Sequence, residues 1–579
     1  MTSSARCIIN DQSRFYSSTS QQVIKTSPKV VGKIILKSII SHQGGFGTIF
    51  GLCGSTTYQF DEIMQGAINK RTLQYIHCTN EITATLAAAN YGKVGVVLTT
   101  RGPGITMAMT GLASAYQEKL PLVYLCGIDT IDSIDEFQYI DLNIINAVTK
   151  KAFVISNTVT SQQQIKDIMK SAFNTAIEGT DVNPGHGPVA VFVMYDMWQR
   201  VLTHASPTTY VPQNPVTGQE QNAVNEIIER WNDSSFVVMR LGSRVNRHTG
   251  LLMIKLANKF AQFYIVSAFH SRSIFSPVIS SKYLSFDGRL GNSVANKAVN
   301  NADLVIEAGI GPYISSFSYP IDNNKTIQLY DEPVESPGYK VNVNKTLELL
   351  YEQSEKLQNK AAIILGNPTL AFGEILNQYL HQNNTIGYYV ASCINQQYSP
   401  NFLINYDYNQ IVDIGVAGLI AIQLLRCKNY NNTGFTSEFS PIGLSMGSTV
   451  GRLYDTKKDS IIYIGDGALL TMLFGLIDLA QVCKITKTRV LILLFNDQRY
   501  GDVALPEKKL FGKYTSITKT SPLYNNFDIY TLFKSLNPIK LARGYHPHII
   551  ENFLNKTYTD PGLYIMVMNG TTHPPVTTP

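Results

Sequence analysis

Ser460-Ile461-Ile462-Tyr463-Ile464-Gly465-Asp466-Gly467-Ala468 is followed by a helical run, the apolar stretch Val490-Leu491-Ile492-Leu493-Leu494-Phe495, and then Asn496-Asp497-Gln498. The short run from Ser460 to Ile464 reads as a buried strand. It delivers Asp466 to its carboxyl end, where Gly465 and Gly467 let the backbone approach a phosphate and the next helix turns its positive N-terminus toward the anion. The second strand brings an amide, Asn496, and a backbone carbonyl, at Gln498, alongside. One carboxylate, one amide oxygen and one carbonyl, with two phosphate oxygens and a water, complete the octahedral oxygen shell that magnesium demands. The motif therefore predicts Asp466, Asn496 and Gln498 at a magnesium ion, with Gly465, Gly467 and Ala468 against a diphosphate.

A chain of 579 residues has room for three domains of ordinary size, and 44% hydrophobic against 16% charged residues marks it as well buried. The net charge of +6 is spread along the length with no Lys/Arg block, so neither nucleic acid nor a membrane surface is an expected partner. Seven cysteines, at positions 7, 53, 78, 126, 393, 427 and 483, form no C-x-x-C pair and read as reduced, mostly buried thiols of a cytoplasmic protein. The ten histidines show no zinc spacing. The longest apolar stretch, Ile411 to Leu425, is interrupted by Asp413 and reads as a buried helix rather than a membrane span. Residues 1–29 are Ser/Thr/Gln-rich and aperiodic and read as a disordered tail.

Apolar runs alternate with amphipathic ones three times over. In residues 30–205, Thr48–Leu52, Gln74–Ile76, Val94–Thr99, Leu122–Cys126 and Val189–Tyr195 read as strands. A linker with Pro207, Pro212 and Pro215 leads to residues 216–345, with strands at Phe236–Arg240, Phe263–Val266, Leu304–Ala308 and Thr326–Tyr330. After a polar helical connector, residues 360–570 hold the Gly465-Asp466-Gly467 motif, and a tail with three prolines closes the chain. The fold class is thus α/β: three consecutive parallel-sheet domains, each sheet covered on both faces. The segment 393–441 is an insertion with no assigned role.

GDG followed after a helix and strand by an N-N or N-D pair resembles the signature of thiamine diphosphate enzymes, although the 28 residues from Ala468 to Phe495 slightly exceed the usual spacing. Three further segments, in order and in the expected domains, carry the same resemblance. Cys78-Thr79-Asn80-Glu81 opening a small-residue helix resembles the family's glutamate helix, and Thr100-Arg101-Gly102-Pro103-Gly104 its S-G-P-G turn, with Arg101 in place of a small residue. Gly51-Leu52-Cys53-Gly54 resembles the loop that approaches the cofactor ring. Ser440-Pro441-Ile442-Gly443 resembles the segment whose bulky aliphatic side chain bends the cofactor. Phe137-Gln138 with Val148-Thr149-Lys150 resembles acetolactate synthase and its close relatives.

The resemblance implies a pyrimidine-binding, a central and a diphosphate-binding domain, with thiamine diphosphate and Mg2+ as cofactors. It makes Glu81 the carboxylic acid that engages the pyrimidine nitrogen and activates the thiazolium, and Gln138 a residue of a neighbouring subunit's active site. Gly54, Ile442 and Gly443 join the cofactor-binding set. The turn Leu241-Gly242-Ser243-Arg244 does not by itself support FAD, which the resemblance leaves open. The implied substrate is a 2-oxo acid such as pyruvate, and the implied assembly a homodimer or homotetramer. Neither Trp198 nor Trp231 follows the Asn496-Asp497 pair, where acetolactate synthases have a tryptophan, and residues 128–141 lack the histidine pair of simple pyruvate decarboxylases. Three readings stand: an acetolactate-synthase-like carboligase, a simple 2-oxo acid decarboxylase, and a non-catalytic cofactor-binding regulatory homologue.

Overall fold

The computed structural model describes residues 29–128, 138, 140–180, 183–202, 218–242, 244–268, 280–288, 291–310, 322–330, 338–361, 408–424, 433–435, 441–514, 518–520, 529–544 and 546–570. The expected N-terminal tail, Pro-rich linker, C-terminal tail and most of the 393–441 segment, with Cys7, Cys393 and Cys427, lie outside these residues.

Three six-stranded sheets, wholly parallel in their pairing, follow one another along the chain. The first contains β1 (Gly47–Gly51), β2 (Leu73–His77), β3 (Gly95–Thr99), β4 (Leu122–Ile128), β5 (Ala152–Ile155) and β6 (Pro188–Met194), in the spatial order β2-β1-β3-β4-β6-β5. The second contains β7 (Val237–Leu241), β8 (Phe263–Ser267), β9 (Tyr283–Phe286), β10 (Leu304–Ala308), β11 (Thr326–Tyr330) and β12 (Tyr339–Lys340), in the order β9-β8-β7-β10-β11-β12. The third contains β13 (Asn409–Val412), β14 (Thr433–Phe435), β15 (Ser460–Gly465), β16 (Arg489–Asn496), β17 (Lys540–Arg543) and β18 (Gly562–Asn569), in the order β14-β13-β15-β16-β18-β17. Central strands such as β4 are buried at every position, which is why they read as continuous apolar runs rather than alternating ones.

The helices that matter for the site are α1 (Glu81–Ala89), α2 (Pro103–Gln117), α3 (Val416–Leu424), α4 (Leu444–Thr456), α5 (Asp466–Thr471), α6 (Gly475–Thr486) and α7 (Gly501–Phe511). The first and third domains share one core. Ala84 and Ala87 of α1 and Met446, Val450 and Leu453 of α4 belong to a single buried cluster that also takes in both sheets. The contact is close because Gly447 and Gly451 on α4 have no side chain: a Cβ at Gly451 would lie 2.1 Å from the Ala87 carbonyl oxygen.

Two expectations change. Ile411 to Leu425 is not one helix but the end of β13, a turn at Asp413-Ile414-Gly415, and α3. The reason is Asp413: buried among apolar residues, its carboxyl accepts the N–H of Ile414 within the run and those of Gly443 and Ser445 at the start of α4, which holds it at a turn rather than inside a helix. The helical run after Gly467 is likewise split, into the six-residue α5 and then α6.

Candidate active site

In an open parallel sheet a ligand crevice forms beyond the carboxyl ends of two adjacent strands whose onward connections diverge. The first sheet has that switch point between β1 and β3, and the third between β13 and β15. Most of the predicted site residues lie at these two places.

At the first, β1 runs into Gly51-Leu52-Cys53-Gly54 and β3 into Thr100-Arg101-Gly102. A Cβ at Gly54 would lie 2.4 Å from the Thr100 Cβ, so glycine is what allows the two loops to meet. Gly102 has φ +56°, and a Cβ there would lie 2.6 Å from both the Cβ and the carbonyl oxygen of Gln138, which places Gln138 beside this turn. Glu81 is the first residue of α1 and is 8% exposed. Asn80 caps the helix, its Oδ1 accepting the Thr83 N–H at 2.7 Å. Gly104, in the first turn of α2, leaves open the flank of the Glu81 carboxylate: a Cβ there would stand 3.5 Å from its Oε1.

At the second lies a cleft of about 250 Å³. Ile414 to Ala417 from the β13 turn form one wall, Gly465 to Ala468 another, and Ile442, Phe495, Asp497, Arg499, Tyr500, Gly501 and Val503 complete it. Asp466 is 3% exposed. Burial pushes its carboxyl up to about 7; the Thr520 hydroxyl, donating to Oδ2 at 2.6 Å, opposes this, and the nearby charge of Asp497 adds to it. The two carboxyl groups share the cleft with Arg499, whose backbone N–H donates to Asp497 Oδ1 at 3.1 Å, and oxygens so placed are of the kind that hold a hard cation. Gly467 and Gly443 form a cradle with no space for a side chain: a Cβ would lie 2.7 Å from the Tyr500 ring at the first and 2.3 Å from Met472 Cγ at the second. Gly443 sits at φ +84° as the N-cap of α4 and presents Ile442, 38% exposed, to the cleft.

Asp413 builds this corner. Fully buried, its Oδ1 accepts the N–H of Ile414 and of Gly443, both at 2.9 Å, and its Oδ2 the N–H of Ser445 at 2.8 Å. Burial raises its carboxyl above the ordinary range against the pull of these donors. Its only mark in the sequence is a charge breaking an apolar run.

The structure separates the predicted metal ligands. Asn496 Nδ2 donates to Asn569 Oδ1 at 2.7 Å, and Asn496 does not line the cleft; its neighbour Asp497 does. The alternation of a strand end explains this, since successive side chains point to opposite faces. Gln498 has φ +59°, its carbonyl accepts the Thr520 N–H at 3.1 Å, and it is also absent from the lining. Asp497 was legible in the sequence only as the second member of the pair. All residues lining the cleft belong to the third domain, and Glu81 is not among them.

Residues 31–148 match the sequence family described as thiamine pyrophosphate enzyme, N-terminal TPP binding domain. The chain is 26% identical over 291 residues to the acetolactate synthase isozyme 3 large subunit of Escherichia coli, covering 48% of each chain. It is 27% identical over 296 residues to the mitochondrial acetolactate synthase catalytic subunit of Saccharomyces cerevisiae, covering 48% of this chain and 41% of that one. To the acetolactate synthase large subunit of Lactococcus lactis it is 28% identical over 276 residues, covering 46% and 45%. The matches span about half the length of these relatives.

Proposed function

We propose that this chain, similar to thiamine diphosphate enzymes of the acetolactate synthase kind, is a thiamine diphosphate- and magnesium-dependent enzyme that decarboxylates a 2-oxo acid such as pyruvate and ligates the product to a second carbonyl compound. The observation that carries the reading is the pairing of two switch points: a buried glutamate at one, and two carboxyl groups in a glycine-walled cleft at the other.

The residues present fit the cofactor. Asp466 and Asp497 would hold the magnesium ion, Asp497 replacing Asn496 in that role, and Gly465, Gly467 and Ala468 would border the diphosphate. Ile442, backed by Gly443 and Asp413, would support the bend between the rings. When bound, thiamine diphosphate supplies a carbon nucleophile and an electron sink for decarboxylation. Glu81 would hold its carboxyl at the pyrimidine nitrogen and there exchange a proton. The apolar walls from Ile414, Val416 and Phe495 lower the local dielectric, which favours loss of carbon dioxide from a charged acid. Gln138 stands beside the turn near Glu81 as a hydrogen-bonding group for substrate.

The reading includes a homodimer or homotetramer in which two subunits compose each site. Free thiols buried at Cys78, Cys126 and Cys483 support a reducing, cytoplasmic setting. Among the described residues no helix is long and apolar enough to cross a membrane. One observation favours decarboxylation without ligation: Trp198 and Trp231 are fully buried in the cores of the first and middle domains, and the cleft contains no tryptophan to select a second oxo acid.

The test is carbon dioxide release and hydroxy-ketone formation from a panel of 2-oxo acids with thiamine diphosphate and magnesium, comparing wild type with Glu81→Gln. Release that falls at least about a hundredfold in the variant is the expected result. Carbon dioxide with aldehyde alone would establish the simple decarboxylase. No release from any acid, despite cofactor binding, would establish the non-catalytic homologue.

A further inference from the structure

Asp478 lies on α6 in the third domain, yet its carboxylate is spent on the first. It is 2% exposed. Its Oδ1 and Oδ2 accept the Thr79 backbone N–H at 3.0 and 3.1 Å, and its Oδ2 also accepts the Thr79 hydroxyl at 2.8 Å. Thr79 stands two residues before Glu81, in the three-residue segment that joins β2 to α1. The other two residues of that segment are also fixed: the Cys78 N–H donates to the Gly51 carbonyl at 3.0 Å, and Asn80 caps α1. Of the three anchors, only Asp478 comes from outside the first domain.

We propose that Asp478 is a positioning residue for Glu81, holding the entry of α1 so that the Glu81 carboxyl is presented in one orientation to the cofactor's pyrimidine. This rests on the functional reading above. Charge-assisted hydrogen bonds are the strong ones, and here a carboxylate takes both donors of one residue, which fixes that residue's backbone as well as its side chain. Glu81 opens α1, so its backbone direction follows from that of residues 78–80, and a catalytic group displaced by a fraction of an ångström loses rate rather than affinity. Asp466 opens α5, the helix immediately before α6, so neighbouring helices of the third domain carry the cleft carboxylate and the one that holds Thr79.

The experiment compares wild type, Asp478→Ala, Thr79→Val and Thr79→Ser as full-length protein. It uses three readouts: calorimetric binding of thiamine diphosphate with magnesium, the near-ultraviolet circular dichroism of the bound cofactor, and hydrogen exchange of the amides at 79–83 without cofactor. The expected result for Asp478→Ala and Thr79→Val is faster exchange at 79–83, an altered dichroism band, and kcat lower by about thirtyfold, with a cofactor Kd within about threefold of wild type. Thr79→Ser, which keeps the hydroxyl, retains the band. Adding Asp478→Ala to Glu81→Gln lowers kcat by no more than about twofold further, because both act through one carboxyl.

Unchanged exchange and dichroism in both Asp478→Ala and Thr79→Val, or full additivity with Glu81→Gln, overturns the proposal and leaves the functional reading intact. Should Asp478→Ala fail to fold, Asp478→Asn, which keeps the size but loses the charge and one acceptor oxygen, decides. A wild type that binds no thiamine diphosphate overturns the functional reading and this inference with it.

Discussion

Asp497 and Asn496 are neighbours with opposite expected effects. Substituting Asp497 by Ala removes one of two carboxyl groups from the cleft, and magnesium-supported binding of thiamine diphosphate is expected to weaken at least about tenfold. Asn496→Ala loses only the bond to Asn569 and is expected to change that binding less than about threefold, both by calorimetry. Asp413→Ala leaves three N–H groups, two of them buried, without their acceptor, at a cost of about 3 kcal/mol of stability by denaturant titration. A third carboxyl gives a pH signature. Asp61 has one oxygen, Oδ1, buried without a hydrogen-bond partner among the described residues, and burial raises its carboxyl to about 6. The unfolded chain releases that proton near about pH 4, so the folded state's advantage from the protonated form is complete below about 4 and lost as pH rises through about 6. Asp61→Asn is therefore expected to match wild type in Tm at low pH and to exceed it increasingly up to neutrality. Of these residues, sequence pattern exposed the Gly465-Asp466-Gly467 turn and Glu81, because glycines and a carboxylate at a strand end have few other uses. It could not tell Asn496 from Asp497, since which of two adjacent side chains faces the cleft depends on strand register.

At the scale of elements, the strands were the most legible part. Leu304–Ala308 and Thr326–Tyr330 are predicted to the residue, and β1, β2, β3, β4, β6, β7 and β8 to within two residues at either end. Fully buried parallel strands advertise themselves as apolar runs. Among the strands that pattern missed, Ala152–Ile155 and Lys540–Arg543 are short, half-exposed edge strands and Tyr283–Phe286 is a short buried one, whereas Gly562–Asn569, long, buried and interior, was an apolar run left unassigned. The turn at Asp413 was hidden for a different reason: periodicity alone does not separate a buried strand followed by a helix from one long buried helix. The crossing of α1 on α4 depends on glycines that no helix propensity favours. Gly451→Ala is expected to cost about 2 kcal/mol, because the added methyl meets the Ala87 backbone carbonyl, which cannot swing aside as a side chain would. Denaturant titration measures the loss, and a wild-type midpoint would show that the two helices can separate freely.

For the whole molecule, the arrangement of the two switch points decides what a functional unit is. The cleft draws on the third domain alone, and Glu81 belongs to the first, so a site composed between subunits predicts complementation. Chains carrying Glu81→Ala and chains carrying Asp466→Ala, each inactive, should recover about a quarter of wild-type turnover when co-expressed, since half the dimers are mixed and each mixed dimer has one intact site. No recovery would mean that each chain builds its site alone. More fundamental than either outcome is whether the cleft at Asp466 and Asp497 takes the diphosphate at all. The most direct test is a calorimetric titration of thiamine diphosphate into the wild type and into Asp466→Ala, with and without magnesium. Saturable binding to wild type that requires magnesium and disappears in Asp466→Ala is the predicted result; no binding, or binding that is indifferent to magnesium and to Asp466, would contradict the account.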